Sequence, residues 1–287
     1  MIGIKDFNKK ITSLQSMRKM TKTMKMVSAS KFKWAHKAQI SAEVYAHKLT
    51  ELMGHVSSCG PTGHPLLKTK EVAARGLIVL FTSDKGLCGG FNNNLIRETR
   101  HWISENPNKH ITIDMSFCGR RGYMSFRRTA RINKHYQNIT LKPAFEDALA
   151  LAKDITDSFI KEEYEEIYIA YNRFNGPLSQ TPTIERILPL EPPVFKTKAL
   201  KSQRYTYEPG EKKILYFLIP KFLNFKIFYT LLENAAGEHG ARMAAMDKAS
   251  QNTADLIDRY TLLRNRARQA AITTELIEII SGAEALK

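Results

Sequence analysis

The last third of this chain carries a heptad ladder with no proline in it. From Leu232, alternating steps of three and four residues pass through Ala235, His239, Arg242, Met246, Ala249, Thr253, Leu256, Tyr260, Leu263, Ala267, Ala270 and Thr274 to Ile277. A 3.5-residue period keeps one stripe turned toward one partner helix, which is what a coiled coil requires. A helix of about fifty residues is roughly 75 Å long, far more than a small domain needs. Small and polar residues occupy many seam positions where a zipper places leucine. That pattern suits a stiff rod with a shallow seam.

The first fifty residues answer with a second ladder: Ile4, Phe7, Ile11, Leu14, Met17, then Met24 and Val27, and after a skip at Lys31, Ala35, Ala38, Ala42, Tyr45, Leu49 and Leu52. The breaks near Met17–Met24 and at Lys31 read as heptad discontinuities, which alter winding without ending a helix. Two long helices at opposite ends of one chain pair most simply with each other, antiparallel, around an inserted domain. The alternative is two amphipathic helices of an ordinary bundle, against which their length argues. The expected division is 1–58 for the N-terminal helix, 75–195 for the central domain and 212–287 for the C-terminal helix.

Between Pro61 and Pro209 the period changes. Gly76–Phe81 is an almost wholly apolar run, the mark of a strand buried on both faces. Ile111–Phe117 and Ile167–Tyr171 read alike, and Thr183–Leu190 reads as an edge strand. Helical stretches separate them at Asn93–Ser104, Gly122–Arg128 and Ala144–Tyr164. This alternation predicts a small α/β sheet with mostly parallel strands. Lys196–Glu211 reads as a returning loop. Ile214–Leu232 is the most hydrophobic window, but Pro220, Lys221, Asn224 and Lys226 interrupt it. It falls short of a membrane-spanning run of about 20 residues and reads as a strand or helix start at a domain junction.

The 287 residues carry a formal charge of +16, which predicts an acidic partner, a nucleic acid or an anionic surface. Arg18, Lys22 and Lys25 form a stripe beside the Met17–Met24 seam. Cys59, Cys88 and Cys118 show neither CxxC nor zinc spacing, so the expectation is inert thiols in a reducing compartment and no metal. No apolar signal core or arginine- and serine-rich leader opens the sequence. The segment Thr82–Asn92 (TSDKGLCGGFN) invites a phosphate-binding reading, as a glycine-rich loop between strand and helix. It matches neither GxGxxG nor GxxxxGK[ST], and its glycines fit a tight turn and close backbone approach equally well. No partner base accompanies Cys88, and no catalytic set or cofactor site emerges.

Four separated segments, in order, resemble the gamma subunit of F-type ATP synthases: Met24–Lys31 (MKMVSASK), Phe81–Leu95 (FTSDKGLCGGFNNNL), Glu233–Asp247 (ENAAGEHGARMAAMD) and Arg264–Leu286 (RNRARQAAITTELIEIISGAEAL). The resemblance implies a non-catalytic central rotor shaft. Its terminal helices would coil together inside a ring of three alpha and three beta subunits, and a Rossmann-like α/β domain would sit near the epsilon subunit and the c-ring. It implies a peripheral place at the cytoplasmic face of a bacterial inner membrane, a mature organellar subunit being the other option. By motif match the coupling contacts fall on Met24 and Lys25, on Arg242, and on Arg268, Gln269, Thr273, Glu275 and Glu278. Simple solvation is the competing account of Glu275 and Glu278. Short residues such as Ala235, Ala249, Ala267, Ala270, Thr253 and Thr274 would limit any single-register grip of shaft on sleeve. The two-cysteine switch of the light-regulated chloroplast form has no counterpart in Lys196–Glu211. The cluster Arg120, Arg121, Arg127, Arg128 and Arg131 has no assigned role. A basic coiled-coil protein that binds nucleic acid is the alternative, although no recognised binding motif supports it.

Overall fold

In the computed structural model, residues 4–57, 64–68, 74–105, 112–191, 208 and 210–285 are described. The elements are α1 (Ile4–Ser57), a short 3-10 turn (Pro65–Leu67), β1 (Arg75–Phe81), α2 (Phe91–Ser104), β2 (Thr112–Cys118), α3 (Arg120–Phe126), β3 (Arg131–Tyr136), α4 (Phe145–Ile160), β4 (Glu166–Gly176), β5 (Ser179–Leu188) and α5 (Glu211–Ala285). Contacts divide the chain into two units, one of residues up to Ser28 with those from Arg242 onward, the other Ala29–Ala241.

In the larger unit the strands run β3-β2-β1-β4-β5. β1 pairs in parallel with both β2 and β4, β2 pairs in parallel with β3, and β5 closes the other edge antiparallel to β4. The mostly parallel sheet is therefore as the sequence implies, because β1 has helices on both faces and carries apolar residues on both. Ile78, Leu80, Met115 and Phe117 pack with Leu95 and Phe126 on one side. Leu77, Val79 and Phe81 pack with Leu151, Ile155, Met53 and the start of α5 on the other.

Of the two readings of Ile214–Leu232, the helix start holds: it is helix throughout, within an α5 that starts at Glu211 and contains Pro220. The proline leaves the Tyr216 carbonyl without its usual helical donor. β3 was not anticipated. Its residues Arg131–Lys134 are exposed, so neither an apolar run nor a clean alternation marks it. β4 continues well past Tyr171 to Gly176 and turns directly into β5. Most of Lys196–Glu211, with Ile111 and Cys59, lies outside the described residues.

The heptad discontinuities in α1 are not there. In the smaller unit the inward positions are Phe7, Ile11, Leu14, Thr21, Lys25 and Ser28, while Met17 is 50% and Val27 51% exposed. In the larger unit they are Phe32, Ala35, Gln39, Ala42, Leu49 and Met53, while Tyr45 and Leu52 are exposed. One strict seven-residue spacing joins 7, 14, 21 and 28, and the same spacing joins 35, 42 and 49. The seam never skips; it becomes polar at Thr21 and Ser28.

Helix pairing is antiparallel within each unit. Phe7 packs on Tyr260 and Arg264 donates to Asn8 Oδ1 in the smaller. Gln39 donates to Tyr229 Oη at 2.9 Å and the Tyr45 ring packs on Phe225 at a tilt of 56° in the larger.

Candidate functional site

The glycine-rich segment after β1 is satisfied by its own chain. The Ser83 N–H donates to Asn92 Oδ1 at 2.9 Å, and Asn92 Nδ2 donates to Ser83 Oγ and to Cys88 Sγ. Gly89 has φ 59°, the positive-φ role expected of this turn, and Leu87 shares it at φ 64°. Gly86 and Gly90 act by close approach instead: a Cβ on either would stand within 3.0 Å of Arg121 or Asn94 side-chain atoms. Ligands of parallel sheets usually enter where the strand order reverses, beyond the carboxyl ends of the strands. Here that point lies between β1 and β4, and it is filled. Asn172 of β4, just past the stretch that pairs with β1, donates to the Phe91 carbonyl at 3.0 Å, and a Cβ on Gly237 of α5 would lie 3.0 Å from the Phe91 ring.

Both described cysteines, Cys88 and Cys118, are free and buried. Burial raises the Cys118 thiol well above its ordinary value, and the Asp84 charge adds to it, so the reactive thiolate is suppressed. Among the described residues no cluster of His, Cys, Asp or Glu is placed to hold a metal. Among them, no helix is long and apolar enough to cross a membrane.

The family-matched residues fall into two groups on the terminal helices. Met24 is half-buried on α1. Lys25 does not point freely outward; its ammonium lies 2.6 Å from Asp247 Oδ1 on α5. Asp247 was not singled out from sequence, because only the helix register reveals it as the partner of Lys25. Both line a groove of about 640 Å³ with Gln15, Arg18, Lys19, Lys22, Met26, Ser250 and Ile257. Arg242 is only 8% exposed, so its guanidinium is engaged inside the fold.

Arg268, Gln269, Thr273, Glu275 and Glu278 form the second group, all exposed. Arg268 lies 26 residues beyond Arg242, roughly 40 Å along the helix axis. Burial along the α5 ladder fades with distance: Leu232, Ala235, His239, Arg242, Met246 and Thr253 are buried, Leu256 is 39% exposed and Ile277 58%. From Ile272 to Ala283 every side chain is exposed. The cause is helix length, since Asn8 of α1 already pairs with Arg264 and α1 has few residues left. Ala235 and Thr253 are buried in the fold rather than offered to a surrounding sleeve, which corrects the reading of their small size.

A family model described as ATP synthase matches residues 3–286. The chain is 39% identical to the ATP synthase gamma chain of Geobacter sp. (strain M21) over 287 residues, covering all of both chains. It is 40% identical to that of Geobacter metallireducens over 288 residues, again covering all of both. Among solved structures it resembles a chain of the Euglena gracilis mitochondrial ATP synthase, with TM-score 0.65, 17% identity, and 99% of this chain and 94% of that one covered. It also resembles a chain of the Tetrahymena thermophila mitochondrial ATP synthase central stalk and c-ring, with TM-score 0.58, 23% identity, and 80% and 99% covered. The structural likenesses establish a shared fold, the sequence matches establish descent, and the chain belongs to the ATP synthase gamma chain family.

Proposed function

We propose that this chain is the central rotor shaft of an F-type ATP synthase, coupling proton-driven rotation to conformational change at catalytic sites on the beta subunits. The observation that carries this is the bare end of α5. Ile272, Leu276, Ile277, Ile279 and Ile280 are all exposed on a chain matched along its whole length to gamma chains. An apolar helix end of this kind needs a surrounding surface, and a collar of alpha and beta subunits supplies one.

In this reading three alpha and three beta subunits surround the terminal helix pair, and the epsilon subunit and c-ring meet the central domain. The complex places the chain at the cytoplasmic face of a bacterial inner membrane. Met24, Lys25, Arg242, Arg268, Gln269, Thr273, Glu275 and Glu278 serve as rotor contacts or supports. An asymmetric shaft touches equivalent sites differently and so holds them at different affinities, which is coupling through differential contacts.

The test is reconstitution. Purified chain is mixed with alpha and beta subunits, and assembly and ATP hydrolysis are measured. A complex holding one copy of the chain, with turnover dependent on it, is the expected result. Failure to assemble with partners that accept a known gamma chain would overturn the reading.

A further inference from the structure

From Leu231 to Gly240 every residue of α5 is buried, and two of them are glutamates. The β4–β5 hairpin grips this stretch at several points. The Phe174 backbone N–H donates to the Glu233 carboxylate. A Cβ on Gly240 would stand 2.9 Å from the Pro177 carbonyl oxygen, and one on Gly237 would stand 3.3 Å from Gln180. Gln180 in turn donates to the Gly176 and Pro177 carbonyls at 2.9 and 3.1 Å, stiffening the turn that makes the contact.

The charges around Glu233 are unevenly shared. Glu185 on β5 takes Lys226 at 2.8 Å and Arg173 at 3.9 Å. Glu233, only 6% exposed, has no cation at ion-pair distance among the described residues. The other groups facing it are Tyr171 on β4 and Tyr229 on α5. From α1, Gln39 donates to the Tyr229 hydroxyl and Glu43 acts on it from farther away. A buried carboxylate with a like charge nearby and its cations bound elsewhere favours its neutral form.

We propose that the β4–β5 hairpin is a clamp on α5 whose hold depends on the proton of Glu233, tightest where the carboxyl keeps that proton whether the clamp is closed or open, and looser once opening lets the carboxyl release it to water. Burial pushes this carboxyl from 4.5 up to about 7 against the pull of Lys226, the Phe174 N–H and Arg173, and the Glu185 charge adds the smallest share. The folded chain therefore keeps its proton across that window while the unfolded chain releases it. Stability present on the acid side is lost as pH rises to about 7. Glu233 is thus a positioning residue. For a rotor, the consequence is a junction between the sheet and α5 that is tightest on the acid side and softens as pH rises to about 7, and this consequence rests on the proposed function.

The experiment follows amide hydrogen exchange at Phe174 and along the hairpin in the full chain, from about pH 4.5 to about 8, corrected for intrinsic exchange rates. Protection in the parent falls by about tenfold or more across the transition. Glu233→Gln gives protection that stays high and flat. Glu185→Gln moves the transition to lower pH, and it decides the matter if Glu233→Gln does not fold. A flat parent profile, or a Glu233→Gln chain that keeps the parent's pH dependence, overturns the clamp. Proton pumping per ATP hydrolysed by the reconstituted complex is measured over the same range. A ratio that ignores pH beside a pH-dependent clamp overturns only the consequence for coupling.

Discussion

Asn172 of β4, just past the stretch that pairs with β1, donates its side-chain N–H to the carbonyl oxygen of Phe91, the first residue of α2, at 3.0 Å. The bond crosses the place where an α/β sheet of this topology would otherwise open a ligand crevice. With Gly237 of α5 against the Phe91 ring, the crevice becomes a packing joint. A mostly parallel α/β sheet is thereby used as a mount for a helix.

Asn172→Ala removes this bond at a residue 1% exposed. We expect a loss of about 1–3 kcal/mol in urea unfolding, the cost of an unmet buried polar group. Titration calorimetry with ATP should stay flat in both chains, since Gly237 still covers Phe91. Appreciable ATP heats in the variant would show that the joint hides a working site.

Gly119 is held at φ +98°, and a Cβ there would stand 2.2 Å from the Thr82 carbonyl oxygen. Gly119→Ala should cost about 3 kcal/mol or more, combining left-handed backbone strain with a clash against main chain. Gly282 in the exposed end of α5 serves as control, because nothing lies within 4 Å of the added atom. Gly282→Ala should not destabilise the chain, since alanine is favoured over glycine inside a helix by about 0.5–1 kcal/mol. Equal effects at the two positions would contradict the contact assigned to Gly119.

The Lys25–Asp247 pair is short at 2.6 Å, but its side chains are 41% and 42% exposed. A double-mutant cycle with Lys25→Met and Asp247→Asn should give a coupling energy of about 0.2–1 kcal/mol, shrinking as salt is raised. The same variants separate two roles for Lys25. If it only joins the helices, both substitutions change ATP-driven pumping alike. If it also meets an acidic partner, Lys25→Met impairs pumping and Asp247→Asn does not.

What could be read in advance divides along a physical line. Gly76–Phe81 declared itself as a buried strand because both its faces are covered, leaving a run with no polar interruption. The two terminal helices declared themselves by length and period. The true register of α1 did not, because Thr21 and Ser28 fill the seam where apolar residues were sought, while Met17 and Val27 nearby look more like core. β3 stayed hidden because an exposed edge strand carrying Arg131 and Lys134 has little apolar signal to give, and charges of that kind protect an edge from stray pairing. Of the candidate site, the motif residues were legible but their surroundings were not. Neither the Asp247 partner of Lys25 nor the burial of Arg242 follows without knowing which helix turns face each other.

The exposed end of α5 gives the most direct separation of fold from function. Residues Ile272–Ala283 are exposed throughout, so their removal takes little packing from the chain. A variant truncated after Ala271 should match the parent within about 0.5 kcal/mol in denaturant unfolding, as substitutions at open surface do. Within a complex with alpha and beta subunits, the same truncation removes the apolar stripe of Ile272, Leu276, Ile279 and Ile280 along with Thr273, Glu275 and Glu278. Turnover or proton pumping should then fall, although the isolated chain is unharmed. A truncated chain that loses several degrees of thermal stability on its own would mean that this segment docks within the fold. One that keeps both stability and full coupling would mean that torque passes only through the stretch around Met24 and Arg242.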